Sequence, residues 1–244
     1  MNQDRQARLT LDQLGKIFER VQKPGRYTGG EWNQVRKNPR KAATRVALIF
    51  PDVYEIGMSY LGQKILYSIL NSRPSVLAER VFAPWTDFER ELRAADIPLY
   101  SLENRIPLPA FDILGFSLLY ELNYTNVLTV LDLGCVPVLA SERGTDAPLV
   151  IAGGPAAFNP EPVADIFDLF FLGDGEEGFP EIIDRYADLK TRRLDKRRIL
   201  EELASIEGVY VPSLYTRVRA GNSTLLVPRP EGSAPARVEK RVLS

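Results

Sequence analysis

The chain has 244 residues, of which 45% are hydrophobic and 26% charged, a composition suited to one large domain or to one domain with appendages. Its 31 basic and 32 acidic side chains leave a net charge of -1, which argues against a bulk nucleic-acid binder and a membrane-surface binder. No apolar run reaches the ~18 residues of a membrane span, and no apolar signal region begins the chain. Together with a single cysteine, Cys135, these features predict a cytoplasmic protein.

The chain has no histidine, which excludes several kinds of catalytic and metal-binding site. Without histidine, the chain cannot carry a histidine-based catalytic triad, a histidine general base or a histidine metal ligand. One cysteine also cannot hold an iron–sulfur cluster, which several thiolates normally ligate. We therefore assign no catalytic residue and no metal ligand, and we do not expect this chain alone to be a self-sufficient catalyst.

The first half of the chain alternates short apolar runs with amphipathic stretches. Apolar residues at helical spacing predict helices, and short continuous apolar runs predict strands that are buried on both faces of a parallel sheet. The predicted elements are a packing helix within residues 1–21, a basic extension at 23–45, a strand at 46–50, a helix at 59–71 with Ser59 as its N-cap, a helix that starts at Thr86 with a capping box to Glu89, and strands at 97–100 and 113–117.

The second half continues this alternation and changes character after residue 208. Pro180 indicates that the stretch 173–177 is a loop, because a proline inside a helix removes a backbone donor. The predicted elements are a helix at 123–133, a strand at 149–152, a helix whose start is marked by Asn159 and Glu161, a strand at 169–172, helices at 179–188 and 193–206, two strands of a small β appendage at 209–211 and 223–227, and a linker at 228–235.

This order of elements predicts an α/β fold. Strands separated by helices form right-handed crossovers, so we expect a Rossmann-like (flavodoxin-like), doubly wound parallel sheet with N-terminal helical and C-terminal small β appendages. We divide the chain into an N-terminal helix and basic extension at 1–44, a Rossmann-like domain at 45–190, a helix with a small β appendage at 191–228, and a linker at 229–244.

Four of the predicted strands end in sequences that suit a ligand. In an open parallel sheet, ligands bind outside the carboxyl ends of the strands, where the strand order reverses. Glycines there let a ligand approach the backbone, and hydroxyl or carboxylate groups orient it. For each loop alone the alternative is a tight turn between strand and helix, but turns at the opposite edge are not similarly decorated. The four sequences are 51–57, Ser117, 153–155 and 173–177.

The order of these motifs resembles the cobalamin-binding domain that precedes the catalytic barrel of cobalamin-dependent radical-SAM proteins. The frame Asp52-x-Tyr54-x-x-Gly57 matches a first motif in which histidine stands at the position of Tyr54. An Asp-x-x-Gly-x-Ser frame that ends at Ser117, the Gly-Gly pair at 153–154 and the Gly-Asp-Gly-Glu sequence at 173–176 match the next three motifs. Longer stretches resemble the N-terminal region of one radical-SAM subfamily, and the resemblance covers about residues 24–240; these stretches are 50–59, 78–85 and 120–126.

The resemblance implies that this chain contacts cobalamin, with the tail of the cofactor in the crevice and Ser117 hydrogen-bonded near its base. It also implies an N-terminal accessory role in a radical-SAM enzyme that performs methyl transfer or another radical modification of an unknown substrate. The iron–sulfur cluster, S-adenosylmethionine and the barrel, which is the expected partner of this domain, would follow Ser244. The implied contact residues are Asp52, Tyr54, Gly57, Ser117, Gly153, Gly154, Pro155, Gly173, Asp174, Gly175 and Glu176.

Tyr54 is the main departure from the family pattern, and it leaves an alternative open. A phenol with a pKa of about 10 is a poor cobalt ligand at neutral pH, so the resemblance implies binding without a protein imidazole. The alternative is a degenerate Rossmann domain that no longer binds cobalamin and serves as a structural or substrate-docking module. A free-standing nucleotide binder is disfavoured because no Gly-x-Gly-x-x-Gly follows the first strand. A response-regulator-like domain is disfavoured because the acidic cluster and lysine of such domains are not apparent.

Several other side chains have an ordinary structural interpretation that we favour. The basic stretch 36–45 is a candidate contact for nucleic acid, but solvated charges are favoured there. Arginines of the helix at 193–206 are expected to pair with glutamates four residues later. Cys135 is predicted to be a buried, inert thiol. Packing in the core, rather than against a flat macrocycle, is favoured for Trp32, Trp85, Tyr120 and Tyr124.

Overall fold

A computed structural model describes residues 9–221 and 223–243. Residues 1–8 of the predicted N-terminal region and Ser244, at the end of the predicted linker, lie outside the described residues. The predicted division of the chain into regions that end at residues 44, 190 and 228 stays a prediction.

The described residues form a six-stranded sheet with the order β2-β1-β3-β4-β5-β6 and a separate two-stranded sheet, β7-β8. The first five strands are parallel, and β6 is antiparallel to β5. The order 2-1-3-4-5 is that of flavodoxin-like folds, so the predicted fold class is confirmed. The strands are β1 Thr44–Phe50, β2 Val76–Phe82, β3 Ile113–Ser117, β4 Leu149–Gly153, β5 Leu169–Phe171, β6 Val209–Tyr210, β7 Tyr215–Ala220 and β8 Ser223–Pro228.

Helices cover both faces of the six-stranded sheet. Helix α4 contacts α7, and α5 contacts both α6 and α1, as right-handed crossovers on opposite faces require. The strand order reverses between β1 and β3, so the carboxyl ends of these strands flank the switch point of the sheet. The helices are α1 Leu11–Phe18, α2 Gly25–Thr28, α3 Tyr54–Ser59, α4 Leu61–Asn71, α5 Thr86–Ala95, α6 Tyr124–Leu133, α7 Gly175–Thr191 and α8 Lys196–Leu203.

The edge strand β2 is one that the sequence does not predict. All seven of its residues are buried, although Glu79 and Arg80 interrupt its apolar run. These two charges are tolerated because polar side chains from residues 101–104 satisfy them. The prediction of a strand at 97–100 is wrong, since Tyr100 makes only an isolated bridge there.

The helix α7 begins at Gly175, so the prediction of a loop is wrong for the last three residues of 173–177. Pro180 lies inside the helix, in its second turn. Tight packing holds the start of the helix despite the missing donor, because a side chain on Gly178 would overlap the ring of Phe171. Tertiary contacts here outweigh the local preference of proline.

The N-terminal caps predicted for two helices do not form, although α5 starts at Thr86 as predicted. Ser59 ends α3, and Tyr60 is the residue that precedes α4, so Ser59 is not the N-cap of that helix. Trp85 precedes α5, and Thr86 is its first helical residue, so the predicted capping box does not form. Both helices are instead set by the burial of their apolar faces.

The helix predicted to start at Asn159 is replaced by two 3-10 turns, Pro155–Phe158 and Glu161–Val163. Pro160 and Pro162 deny this run the backbone donors that an α-helix needs. The C-terminal appendage also differs from its prediction. Its two strands are β7 and β8, whereas β6, which was assigned to it, joins the six-stranded sheet.

Candidate functional site

A crevice with a volume of about 450 Å³ lies at the switch point of the sheet. The carboxyl ends of β1, β3, β4 and β5 form one side of the crevice, and α4 and the start of α7 form the other. Its deep part is apolar, with Leu48, Leu66 and Ile151 on the walls and Phe179 packed against Gly115. A Cβ at Gly115 would lie 2.9 Å from the Phe179 ring, so glycine there lets the ring close the floor.

Ser117 and Gly153 face one another at the ends of β3 and β4, in parallel register. Ser117 is half-buried, and within residues 9–221 and 223–243 its hydroxyl has no hydrogen-bond partner. A Cβ built on Gly153 would meet open space, because its nearest neighbour is the Phe171 carbonyl oxygen at 3.8 Å. An unpaired hydroxyl beside free volume is suited to a ligand that carries a hydrogen-bonding atom.

Gly154 is required by the backbone rather than by open volume. Its φ is 99°, in the left-handed region that favours glycine, and a Cβ would lie 2.6 Å from the Leu118 carbonyl oxygen. Gly154 and Pro155 turn the chain away from β4 and form the rim of the crevice. Substitution of Gly154 would therefore disturb the fold as well as any ligand.

The mouth of the crevice is polar. Asp174, Glu176 and Lys240 line it together with the ring of Tyr60. Burial raises the pKa of the Tyr60 phenol, and the negative charge of Glu176 raises it further. The phenol is therefore neutral at physiological pH and can donate a hydrogen bond.

The sequence motif 173–176 reaches this mouth, but Gly173 contacts the protein's own chain there. Its φ is 137°, and a Cβ would overlap the backbone of Arg241, with which Gly173 forms a parallel bridge. Gly175 lies behind it, where a Cβ would be 3.5 Å from Leu66. The close approach of the C-terminal segment, and not only free space for a ligand, therefore explains why residue 173 is a glycine.

The first motif lies outside the crevice, and its side chains are occupied within the fold. The Asp52 carboxylate accepts a hydrogen bond from the Tyr120 hydroxyl at 2.8 Å. The Tyr54 hydroxyl lies 3.2 Å from Glu31 Oε1, and its ring packs edge-on against Phe82. Gly57 is buried, and a Cβ there would overlap the Phe82 ring.

The structure thus brings most of the predicted contact residues together and separates the first motif from them. The residues of the crevice that the sequence-based reasoning missed include Tyr60, Phe179 and Lys240. Tyr60 follows the first motif by three residues, and its side chain lines the crevice although the motif itself does not. Lys240 lies in a segment with the composition of a linker, so no sequence signal points to it. The predicted residues that line the crevice are Ser117, Gly153, Gly154, Pro155, Gly173, Asp174, Gly175 and Glu176.

A buried group of charges, the charge cluster Glu31, Glu79, Arg80 and Glu103, lies beside β2. Arg80 Nε donates to Glu103 Oε1 at 2.6 Å, and the Arg80 amide donates to Glu103 Oε2 at 2.8 Å. Glu31 Oε2 lies 3.4 Å from the same guanidinium, and Glu79 accepts from the Ser101 hydroxyl. Burial raises the pKa of Glu103 to about 7, although Arg80 opposes this shift. Each member of the charge cluster has a protein partner.

A larger cavity, with a volume of about 960 Å³, lies beside α8 and the β7-β8 hairpin. Five of its charged side chains are paired with one another. Asp168 lies 3.2 Å from Arg143 Nε and 2.6 Å from Lys196 Nζ, and Arg217 lies 3.0 Å from Glu161. These pairs link the loops around β5 and α8, so we assign them a structural role.

Four sequence-based interpretations are corrected by exposure. Cys135 is exposed rather than buried, because it follows the end of α6 with a φ of 54° while its neighbour Val136 fills the core. Trp32 is 99% exposed, Trp85 is 46% exposed with the Arg26 guanidinium over its ring, and Tyr120 is 39% exposed, so none of the three packs in the core.

The remaining charge predictions have mixed outcomes. Arg197 pairs with Glu201 at 3.0 Å, four residues later, as expected. In the basic stretch 36–45, Lys37 donates to two carbonyl oxygens of the protein's own chain, and a nucleic-acid contact stays a prediction. Within the described residues, no group of acidic or cysteine side chains is arranged to hold a metal ion. No helix in the described part of the chain is long and apolar enough to cross a membrane.

Comparison with known proteins identifies the family. The model of the family "Radical SAM proteins, N-terminal" matches residues 62–212. Uncharacterized protein MJ0966 of Methanocaldococcus jannaschii is 25% identical over 166 residues, an alignment that covers 65% of this chain and 31% of that protein. This chain thus matches about a third of the relative's length. No solved structure matches the chain. Because the family model covers more than half of its residues, the chain belongs to the family of radical SAM proteins, N-terminal.

Proposed function

We propose that this accessory domain of a radical SAM protein binds cobalamin through the nucleotide tail of the cofactor, which enters the crevice. The observation that carries this proposal is the unpaired hydroxyl of Ser117 beside the open volume at Gly153. The tail ends in a flat heteroaromatic base that needs an apolar slot and one hydrogen-bond partner. The crevice offers both at the edge of the sheet where flavodoxin-like folds bind their ligands.

The size of the crevice favours the tail over the whole cofactor. A volume of about 450 Å³ suits a small heterocycle with its sugar and is too small for a corrin ring as well. The corrin would remain outside, where apolar side chains are exposed at the same edge. Leu61, the first residue of α4, is 66% exposed, and Phe158, at the rim of the crevice, is 52% exposed. Asp174 and Glu176 would accept hydrogen bonds from amide groups of the corrin or from hydroxyls of the ribose.

Within this proposal the chain binds and orients the cofactor and does not ligate its metal. Bound cobalamin supplies a cobalt centre that carries a methyl group, which suits methyl transfer to an unknown substrate. The chain has no histidine, so no imidazole of this chain would meet cobalt, and the Tyr54 hydroxyl is engaged by Glu31. The iron–sulfur cluster and S-adenosylmethionine would belong to a barrel that partners this domain. The single cysteine supports a reducing, cytoplasmic setting as part of the same proposal.

A titration of the purified chain with hydroxocobalamin tests the proposal, with cobinamide, which lacks the nucleotide tail, as the comparison. We expect saturable binding of hydroxocobalamin, with a visible spectrum that carries no signature of a protein imidazole. Cobinamide should bind at least about 10-fold more weakly, because it cannot use the crevice, and each factor of ten corresponds to ~1.4 kcal/mol. Equal affinity for the two compounds would place the binding determinants outside the crevice.

The second candidate function is a degenerate domain that docks structurally onto the rest of the radical SAM protein or onto its substrate. It is favoured by the first motif, whose three residues are all engaged within the fold. The same titration separates the two candidates. A folded chain that binds neither hydroxocobalamin nor cobinamide would support the docking module and overturn the cofactor proposal.

A further inference from the structure

The segment Val238–Leu243, which we call the strap, lies across the carboxyl end of β5 beside the crevice. The Arg241 amide donates to the Leu172 carbonyl at 3.0 Å, and the Asp174 amide donates to the Arg241 carbonyl at 3.1 Å. The Leu243 amide donates to the Asp174 carboxylate at 3.3 Å. These bonds tie the strap to the rim of the crevice.

The side chain of Arg241 holds the strap in place. Its guanidinium forms ion pairs with Glu177 and Glu181, one turn apart on α7. Two glycines make room for the strap backbone: a Cβ on Gly173 would overlap Arg241, and one on Gly208 would lie 3.3 Å from the Arg241 Cβ. Both glycines have positive φ, so the rim of the sheet is shaped to accept this segment.

The strap carries Lys240 to the mouth of the crevice. The Lys240 side chain lines the crevice, and it is exposed. Among residues 9–221 and 223–243 it has no ion-pair partner within 4.0 Å, although Asp174 and Glu176 line the same mouth. A lysine that pairs with neither of the two carboxylates at the same mouth is available to an anionic group of a ligand.

We infer that Lys240 is a ligand-binding residue, which recognises the phosphodiester of the nucleotide tail. This inference rests on the proposed function, because it takes cobalamin as the ligand. If the base lies in the apolar floor and the corrin lies outside, the phosphodiester that joins them passes through the mouth. Lys240 is the one basic residue that lines the crevice in the described part of the chain, and the strap makes the C-terminal segment a wall of the site. The site therefore extends beyond residues 62–212, which the family model matches.

Fragments of the tail give a direct test. The isolated tail nucleoside, α-ribazole, and its phosphate ester are each titrated in competition with hydroxocobalamin. The wild-type chain should prefer the phosphate ester by about threefold to tenfold, as expected for a charged hydrogen bond at a partly exposed site. Lys240→Ala should lose this preference and bind the nucleoside as wild type does. Arg237→Ala is the matched control, since its side chain is 85% exposed and, among the residues that the structure describes, its one ion pair is with Glu239 at 3.8 Å.

The outcomes separate this inference from the proposed function. If wild type does not bind hydroxocobalamin, both are overturned. If wild type binds hydroxocobalamin but Lys240→Ala keeps the preference for the phosphate ester, only the role of Lys240 is overturned. A Lys240→Ala variant that binds both fragments equally weakly would also overturn it, because the residue would then act on the strap rather than on the phosphate. Arg241→Ala, which frees the strap, should reduce the preference and raise amide exchange at residues 240–243.

Discussion

The crevice and the charge cluster both collect polar side chains at the edge of a buried sheet, yet they differ in how those side chains are satisfied. In the charge cluster Arg80 serves two carboxylates, and Glu103 accepts two hydrogen bonds from Arg80. In the crevice the Ser117 hydroxyl and the Lys240 ammonium have no partner among the described residues. Polar groups that the protein itself satisfies hold a fold together, whereas polar groups left open beside a cavity are available to a ligand. This contrast separates structural from binding residues in a chain that has no histidine.

Removal of the cation from the charge cluster should have the largest effect on stability. Arg80→Met keeps most of the buried volume but leaves Glu103, whose side chain is 0% exposed, without its counter-ion. We expect the free energy of unfolding in urea to fall by about 3–5 kcal/mol. Arg93→Met is the control, because Arg93 pairs with exposed acids on α5 and α6 and should cost no more than ~1 kcal/mol. Equal losses of unfolding free energy in the two variants would show that the buried charge cluster contributes no more to stability than the ion pairs of Arg93.

Added bulk in the crevice should affect binding and leave the fold intact. Gly153→Val puts a side chain into open space, so we expect hydroxocobalamin to bind about 10- to 100-fold more weakly, the equivalent of ~1–3 kcal/mol of overpacking. Gly144→Val is the matched control, because a Cβ there meets nothing within 4 Å and lies outside the crevice. Isothermal titration calorimetry and thermal melts should give a binding defect for the first variant only. Unchanged affinity of Gly153→Val for hydroxocobalamin would show that this ligand does not bind in the crevice.

The pH dependence of stability should report the charge cluster. Burial raises the pKa of Glu103 from 4.5 to about 7, so the folded state binds its proton more tightly than the unfolded state does. The associated stability is present below pH 4.5 and is lost as the pH rises towards about 7, by no more than ~1.4 kcal/mol per pH unit. Glu103→Gln should remove this component. Urea unfolding of wild type and of Glu103→Gln between these pH values checks this prediction. If the unfolding free energies of the two proteins change with pH in parallel, the assignment to Glu103 is contradicted.

The smallest effect is expected at Tyr54, whose hydroxyl, like the side chains of the charge cluster, is satisfied within the protein. Tyr54→Phe removes the hydrogen bond to Glu31 and keeps the edge-on contact with Phe82. Unfolding free energy should fall by about 1 kcal/mol or less. The affinity for hydroxocobalamin should stay within about twofold, or ~0.4 kcal/mol, of wild type. If Tyr54→Phe loses more free energy of hydroxocobalamin binding than free energy of unfolding, Tyr54 belongs to the ligand site.

The sequence predicts the fold class and the strand-end residues of the crevice because both depend on local signals. Apolar runs mark β1, β3, β4 and β5, and the strand-end rule selects Ser117 and Gly153. The missed strand β2 shows where local signals fail, since Glu79 and Arg80 look exposed in sequence and are buried by partners from a distant loop. Gly173 fits a ligand motif but contacts a segment far along the chain. Such long-range contacts are not encoded in spacing or composition.

The most direct measurement of the central claim is amide hydrogen exchange with and without saturating hydroxocobalamin. The account predicts slower exchange at residues 117–118, 153–154 and 173–176 and along the strap at 240–243. It predicts no change around the charge cluster, at residues 31–35 and 79–80. Protection confined to the charge cluster, or no protection at the crevice when the ligand is bound, would contradict the account.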